Sequence, residues 1–189
     1  MSREPGDGEG QGNGSRKRAR RPRPSPSQLS PQDAYDHALA AATRLLSHRE
    51  RSRRELTTRL RQKGYTQATI DLALERLSES GLQDDRRFAE TFAAGAQRGK
   101  GLSAFAIQGE LRRRGIEPTL AAEASTEAPE DEEERARKLA FARAARMGNL
   151  APEAVRRRLE AFLARRGYPG EMARRLAAEA SGEVSEGPR

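Results

Sequence analysis

The chain has 189 residues and no cysteine, and 36 Lys and Arg against 28 Asp and Glu give it a net charge of +8. The lack of cysteine excludes disulfides, thiolate metal sites and cysteine nucleophiles, and no apolar stretch reaches the roughly 20 residues that cross a bilayer. The basic excess favours an anionic partner, most often nucleic acid, over the simpler alternative of a solvated charged surface. Because no apolar secretory signal is visible, the cytoplasm is the expected location.

The N-terminal segment, residues 1–29, is rich in Gly, Ser, Pro and Arg and has almost no apolar side chains. Such a segment cannot bury enough surface to offset its ordering entropy, so we predict a disordered basic arm. The arm could touch phosphates without sequence preference or act only as a solvating tail, and both interpretations stay open.

Residues 30–81 predict a first three-helix unit. Ser30 precedes a proline and is a good N-cap for the first helix. Ser52 opens a capping box with the glutamate three residues later, and Gly64 supplies the left-handed residue that stops this second helix. The third helix has leucines at helical spacing and stops at Gly81.

Residues 82–124 predict a second three-helix unit that begins at the paired aspartates 84–85. Carboxylates at this point cap free amides and complement the helix dipole. Three glycines around Lys100 predict a loop or a loose helix end. A middle helix then stops at Gly115, and Pro118 starts a short sixth helix.

Residues 125–180 predict an acidic linker followed by a third three-helix unit. Acidic residues 130–134 crowd the N-terminus of its first helix, where the dipole favours them. Pro152 starts the middle helix and Gly167 ends it, and the last helix fades near residue 180. Residues 181–189 are expected to be frayed.

One short pattern, Leu-x3-Leu-x3-Gly with Ile107 in place of the first leucine in the second copy, ends the middle helix of every predicted unit. Its glycines, Gly64, Gly115 and Gly167, lie 51 and then 52 residues apart. A fixed period of this size is typical of an array of like units. We therefore predict an all-α fold of three tandem three-helix repeats, with about nine helices, that is elongated and able to flex between units.

A set of arginines recurs on the predicted middle helices. Its members are Arg53, Arg54, Arg112, Arg113, Arg114, Arg156, Arg157, Arg158, Arg165 and Arg166. Guanidinium groups bind phosphates and carboxylates in a bidentate manner, so a regular basic stripe would suit a filament or a nucleic-acid backbone. The alternative is that these arginines only keep amphipathic helices soluble. The repetition favours a binding role for the set as a whole.

The sequence contains no phosphate-binding loop, dinucleotide fingerprint or nucleophile elbow. His37 and His48 are isolated on one predicted helix, and the consecutive acids 130–134 splay around their helix rather than converge. We therefore expect no catalytic, cofactor or metal site, and no enzyme.

A helix-turn-helix spanning residues 52–77 is the alternative interpretation of the first unit. Its second helix has little equipment for contacting base edges, since the basic residues lie on the first helix. This distribution favours contacts to a nucleic-acid backbone or to a protein over direct base readout.

Several motifs, in order, resemble the RecX regulatory proteins of bacteria. They are Ser52-x-x-Glu55-Leu56-x3-Leu60-x3-Gly64-Tyr65, Leu82-x-Asp84-Asp85-x-x-Phe88-Ala89, Lys100-Gly101, Leu111-x3-Gly115-Ile116 and Phe162-Leu163-x-x-Arg166-Gly167-Tyr168. The resemblance covers about residues 35–178, and Asp84, Asp85 and Phe88 form its most specific part. The basic arm and the long acidic lead-in to the third unit depart from the family pattern.

The resemblance implies tandem three-helix repeats in a cytoplasmic protein that binds the RecA recombinase. Such proteins lodge in the groove of the RecA–DNA filament and curb its extension, ATPase, strand exchange and co-protease activities, which modulates recombination, repair and the SOS response. The resemblance gives the arginines a RecA or DNA-binding role, with possible direct contact to the phosphate backbone. We expect a monomer without membrane association. The alternative is a DNA-binding protein that acts without RecA.

Overall fold

A computed structural model describes residues 26–126, 129–148 and 150–185. These parts of the chain contain nine α-helices and no strand, in three consecutive sets of three. The first set, unit 1, consists of α1 (Pro31–Leu46), α2 (Arg53–Gln62) and α3 (Gln67–Glu79). Unit 2 consists of α4 (Asp85–Lys100), α5 (Ala104–Arg113) and α6 (Pro118–Ser125). Unit 3 consists of α7 (Pro129–Ala144), α8 (Pro152–Ala164) and α9 (Gly170–Ser185), so the predicted all-α repeat fold is confirmed.

Side-chain caps begin the helices at the predicted serines, Ser30 and Ser52, and also at Ser103. The hydroxyl oxygens of Ser30, Ser52 and Ser103 each accept from the amide three residues later. Thr66 caps α3 in the same way. These bonds satisfy amides that have no partner within the helix, which is why local sequence is enough to place the helix starts.

The glycines of the repeated pattern end the middle helices. Gly64, Gly115 and Gly167 have φ values of 90°, 85° and 84°, the left-handed conformation that costs glycine little. The following residue folds back in each case, as where the amide of Tyr168 donates to the carbonyl of Leu163. The pattern is therefore structural: its glycines stop helices and its leucines are fully buried.

Each unit has its own small core. Leu56, Leu60 and Leu74 are among the buried residues of unit 1. The residues that correspond to Leu56 and Leu60 are buried in the other cores, as Ile107 and Leu111 in unit 2 and as leucines of α8 in unit 3. The helix pairs that pack most closely all lie within one unit. The contacts that join one unit to the next are consequently few and specific.

The glycines around Lys100 do not form a loop. Helix α4 continues through Gly95 and Gly99 and ends only at Gly101, which has a φ of 60°. An interior glycine costs a helix about 1 kcal/mol, but the buried face of α4, with Phe88 and Ala93, holds the helix intact.

The structure tests the predictions for the two ends of the chain only in part. Residues 1–25 of the predicted arm lie outside the described residues, and Pro26–Gln28 form a single 3-10 turn before α1. Helix α9 extends to Ser185, beyond the predicted fading near residue 180. The unit boundaries drawn from the sequence stay a prediction. None of the described helices has the length and apolarity needed to cross a membrane.

Candidate functional site

Hydrogen bonds from equivalent serines join unit 1 to unit 2 and unit 2 to unit 3, through a hydroxyl at the first junction and an amide at the second. The hydroxyl of Ser52, at the start of α2, donates to the carbonyl oxygen of Arg114, at the end of α5, over 2.7 Å. One unit along, the amide of Ser103 donates to the carbonyl oxygen of Arg166 over 2.9 Å. Both serines are buried. The start of each middle helix thus holds the end of the next middle helix.

A carboxylate from the following unit completes each junction. The Oδ1 atom of Asp85 accepts from the amide of Arg53 and from the Nε2 atom of Gln83, both at 2.8 Å. At the second junction, Glu132 accepts from the amide of Ala104 over 2.7 Å. Burial raises the pKa of Asp85, while these two hydrogen bonds oppose the rise. The acidic start of α7 is therefore more than a solvated helix end.

The motif Asp84-Asp85-x-x-Phe88 has a structural role. Asp84 caps α4 by accepting from the amides of residues 86 and 87. Phe88 is buried, and its ring centroid lies 6.1 Å from that of Phe92. The guanidinium of Arg114 lies 4.7 Å from the centroid of the Phe92 ring. The motif therefore anchors α4 and supports the first junction.

The side chains of two of the ten predicted arginines form contacts at the junctions between units. Arg114 pairs with Glu55 over 2.6 Å and keeps only 33% of its side chain exposed. Arg166 lies 3.7 Å from the centroid of the Phe162 ring, and its Nε donates to the carbonyl of Lys100. Burial lowers the pKa of Arg166, which fits a packed guanidinium rather than a free one.

The other predicted arginines lie at the surface, but not as one uniform stripe. Arg53 is half-buried and the remaining seven are exposed: Arg54, Arg112, Arg113, Arg156, Arg157, Arg158 and Arg165. Arg53 and Arg54 lie at the start of α2, whereas Arg112 and Arg113 lie at the end of α5. At the start of α5, the position equivalent to Arg54 holds Phe105, whose exposed fraction is 77%.

The first junction gathers arginines into a groove with a volume of about 370 Å³. We call it the junction groove; its lining consists of Arg49, Arg51, Arg54, Glu55, Thr58, Arg59, Gln62, Arg113 and Arg114. Sequence analysis did not assign Arg49, Arg51 or Arg59 to a site. Arg49 and Arg51 lie in the connection between α1 and α2, so they are not part of a helical pattern that a sequence reveals. The signal available was the local surplus of arginine, since residues 49–59 hold five arginines and two glutamates.

Glu55 organises the centre of the junction groove. Its carboxylate pairs with Arg49 at 2.9 Å and with Arg114 at 2.6 Å, and Arg51 lies 3.9 Å away. The pKa of Arg51 is lowered, first by burial and then by the charge of Arg49, with Glu55 acting in the opposite direction. One carboxylate therefore does not balance the guanidinium groups around it, and the groove is suited to bind an anion.

Unit 3 has a second basic depression, with a volume of about 590 Å³, beside the turn between α7 and α8. Arg143, Arg146 and Arg158 line it together with small and apolar residues. Within the described residues, no group of three or more His, Asp or Glu is arranged to hold a metal ion. His37 and His48 are both exposed.

Three family models match the chain in order. They describe the first, second and third three-helix domains of RecX and match residues 38–77, 84–124 and 130–176. These ranges coincide closely with the three units of the structure.

Known proteins agree with this assignment. The regulatory protein RecX of Amycolatopsis mediterranei is 38% identical over 78% of this chain and 85% of its own length. That of Thermobifida fusca is 38% identical over 79% of this chain and 82% of its own length. The crystal structure of RecX from Lactobacillus salivarius has a TM-score of 0.67 and 20% identity, covering 79% of this chain and 97% of that structure, and shows the same fold. The chain belongs to the RecX family of regulatory proteins.

Proposed function

We propose that this protein is a non-enzymatic regulator that binds the RecA recombinase on its DNA filament and inhibits it. The inhibited activities are filament extension, ATP hydrolysis, strand exchange and co-protease activity, so the protein modulates recombination and repair. The observation that carries the proposal is membership of the RecX family across all three units. The protein is proposed to act as a monomer in the cytoplasm, without a membrane or a cofactor.

The distribution of charge supports a filament as the partner. Exposed arginines occur on the middle helices of all three units, at the start of α2, at the end of α5 and in the middle and at the end of α8. A filament offers repeated, regularly spaced acidic groups, and an array of units can meet several of them at once. Contacts to the DNA backbone of the filament are part of the proposal.

The direct test measures the ATPase rate of RecA on single-stranded DNA and the length of its filaments by electron microscopy. Substoichiometric amounts of the protein should lower both, because one bound inhibitor blocks growth of a whole filament. Unchanged rates and lengths would refute the proposal.

Charge reversal tests the basic surface without disturbing the junction. Arg112→Glu combined with Arg113→Glu should weaken inhibition while circular dichroism shows unchanged helicity. Arg114 is left intact because its pairing with Glu55 joins two units. Arg44→Glu combined with Arg98→Glu is the matched control, since both residues are exposed and lie outside the predicted set. Equal inhibition by the test variant and the control would remove Arg112 and Arg113 from the interface.

The alternative function, DNA binding without RecA, is favoured by one observation, the surplus of arginine in the junction groove. It requires tight binding to DNA at physiological salt, with a steep dependence of affinity on salt concentration. Strong RecA inhibition by a protein whose DNA binding vanishes at moderate salt would reject this alternative.

A further inference from the structure

The walls of the junction groove belong to two different units. Arg49, Arg51, Arg54 and Arg59 come from unit 1, whereas Arg113 and Arg114 come from the end of α5 in unit 2. No closely packed helix pair joins these units. Any ligand that contacts both walls therefore adds interactions between two units that share few direct contacts. Its affinity depends on the angle between the units.

The arginines of the junction groove are only partly neutralised. Glu55 pairs with Arg49 and Arg114, and Arg113 pairs with Glu110 over 2.6 Å. Among the described residues, no ion pair involves Arg54 or Arg59, the latter donating only to the amide oxygen of Gln62. The groove therefore carries two arginines, five residues apart on α2, without a carboxylate partner.

The chemistry of the lining distinguishes phosphate from an acidic peptide. Among the described residues, the groove is lined besides the charged groups only by Thr58 and Gln62, and these residues form no aliphatic or aromatic pocket. Peptide and protein partners are usually held by such apolar anchors, which this groove lacks. Phosphate groups need none, because guanidinium forks bind their oxygens directly.

The size of the groove fits more than one phosphate. A volume of about 370 Å³ equals that of roughly twelve water molecules. A single phosphate would fill only a small part of this space. A chain of several phosphates spans the groove and contacts arginines of both units.

We propose that the junction groove binds a chain of phosphate groups and that the bound phosphates clamp units 1 and 2 at one angle. The chain is either the phosphodiester backbone of a single nucleic-acid strand or a free linear polyphosphate. For a nucleic-acid strand, the site rests on the DNA contacts proposed above and assigns them to one groove. Its binding tests contain no RecA, so failure of this site is distinguishable from failure of RecA inhibition.

The second junction lacks counterparts of Arg54 and Arg59, although similar hydrogen bonds hold it. At the positions equivalent to Arg54, Thr58 and Arg59, helix α5 carries Phe105, Gly109 and Glu110. There, Arg166 is held by the Phe162 ring and the carbonyl of Lys100. Bound phosphate should therefore fix the angle between units 1 and 2 and leave the angle between units 2 and 3 unchanged. The second junction thus serves as an internal control for the first.

Binding is tested by calorimetric titration with inorganic tripolyphosphate and, separately, with a short thymidine oligonucleotide. Arg54→Gln combined with Arg59→Gln should weaken binding about tenfold and lower the slope of log affinity against log salt by about 2. The matched control is Lys138→Gln combined with Arg174→Gln, which removes the same charge from exposed positions in unit 3 that lie outside the predicted set. Its affinity should stay within about twofold of the wild type.

The clamp is tested by distance measurement between spin labels, which the absence of native cysteine makes simple. Glu75→Cys in α3 and Thr91→Cys in α4 report on the first junction, and Thr91→Cys with Ala178→Cys in α9 reports on the second. Either phosphate ligand should narrow the distance distribution of the first pair and leave the second unchanged. The narrowing should be absent when Arg54 and Arg59 are glutamine.

The two ligands identify the source of the phosphate. Binding of both shows that a free phosphate chain is sufficient, and binding of the oligonucleotide alone identifies a nucleic-acid strand; either result supports the site. The proposal is overturned if neither binds, if the unit 3 control weakens binding equally, or if the first distance distribution does not change. Equally tight binding of an oligoglutamate peptide also overturns it. Arg59→Gln alone, at an exposed position, serves as a second variant should the double variant lose helicity.

Discussion

Alanine substitutions at the glycines that end the middle helices distinguish the energetic cost of backbone strain from the cost of a steric clash at a junction. Gly64 and Gly167 have nearly the same φ, 90° and 84°, so alanine meets the same left-handed strain at both. A Cβ at Gly64 would lie 3.7 Å from Pro26, an ordinary contact. A Cβ at Gly167 would lie 2.6 Å from the Oγ of Ser103 and from the Cβ of Ala106, and 3.2 Å from the amide nitrogen of Ala106.

The expected losses follow from these distances. Left-handed alanine costs about 1–2 kcal/mol, reduced by about 0.4–1 kcal/mol because alanine restricts the unfolded chain. Gly64→Ala should therefore cost about 1 kcal/mol. At Gly167 the clash with a rigid helix start adds roughly 1–3 kcal/mol, for a total near 3 kcal/mol. For a chain of this size the melting temperature should fall by about 3 °C and about 9 °C.

The assay is urea and thermal unfolding followed by circular dichroism at 222 nm. Gly109→Ala is the control, because that glycine lies inside α5 without positive φ and with nothing near its Cβ position. It should stabilise the protein by about 0.5–1 kcal/mol. Equal losses at Gly64 and Gly167 would refute the reasoning, because they would show that the contact with Ser103 and Ala106 has no energetic weight.

Three further predictions concern stability. The pKa of Glu133 is lowered to about 2, chiefly by hydrogen bonds from Arg175. The stabilisation that ionised Glu133 provides is therefore complete above pH 4.5 and lost as the pH falls toward 2. The difference between the urea midpoints at pH 5 and pH 3 should be smaller for Glu133→Gln than for the wild type. Asp85→Asn should cost less than Asp85→Ala in the same assay, because the amide oxygen still accepts from Arg53, and equal losses would contradict this. Phe88→Ala should cost about 3–5 kcal/mol, since the ring is buried against Phe92; a loss below about 1 kcal/mol would show that α4 is anchored elsewhere.

Local physical chemistry made most of the fold predictable. The capping box that begins at Ser52 and the left-handed turn at Gly64 depend on residues a few positions apart, so they are visible in the sequence. Their repetition at a fixed period predicted the three units. The loop predicted near Gly95 and Gly99 was wrong. The free-energy cost of glycine within a helix is a local effect, and burial of the apolar face of α4, a tertiary effect, outweighs it.

The sequence by itself determined the helices, the units and the supply of arginine, because helix formation is governed by neighbours along the chain. Only the tertiary structure decided what the arginines do. It paired Arg114 with Glu55, 59 residues away, and brought Arg49 and Arg51 from a connection to the same groove. Charged surface residues carry no period that reveals distant partners, so which arginines join units and which are left to bind an anion depends on how the units pack.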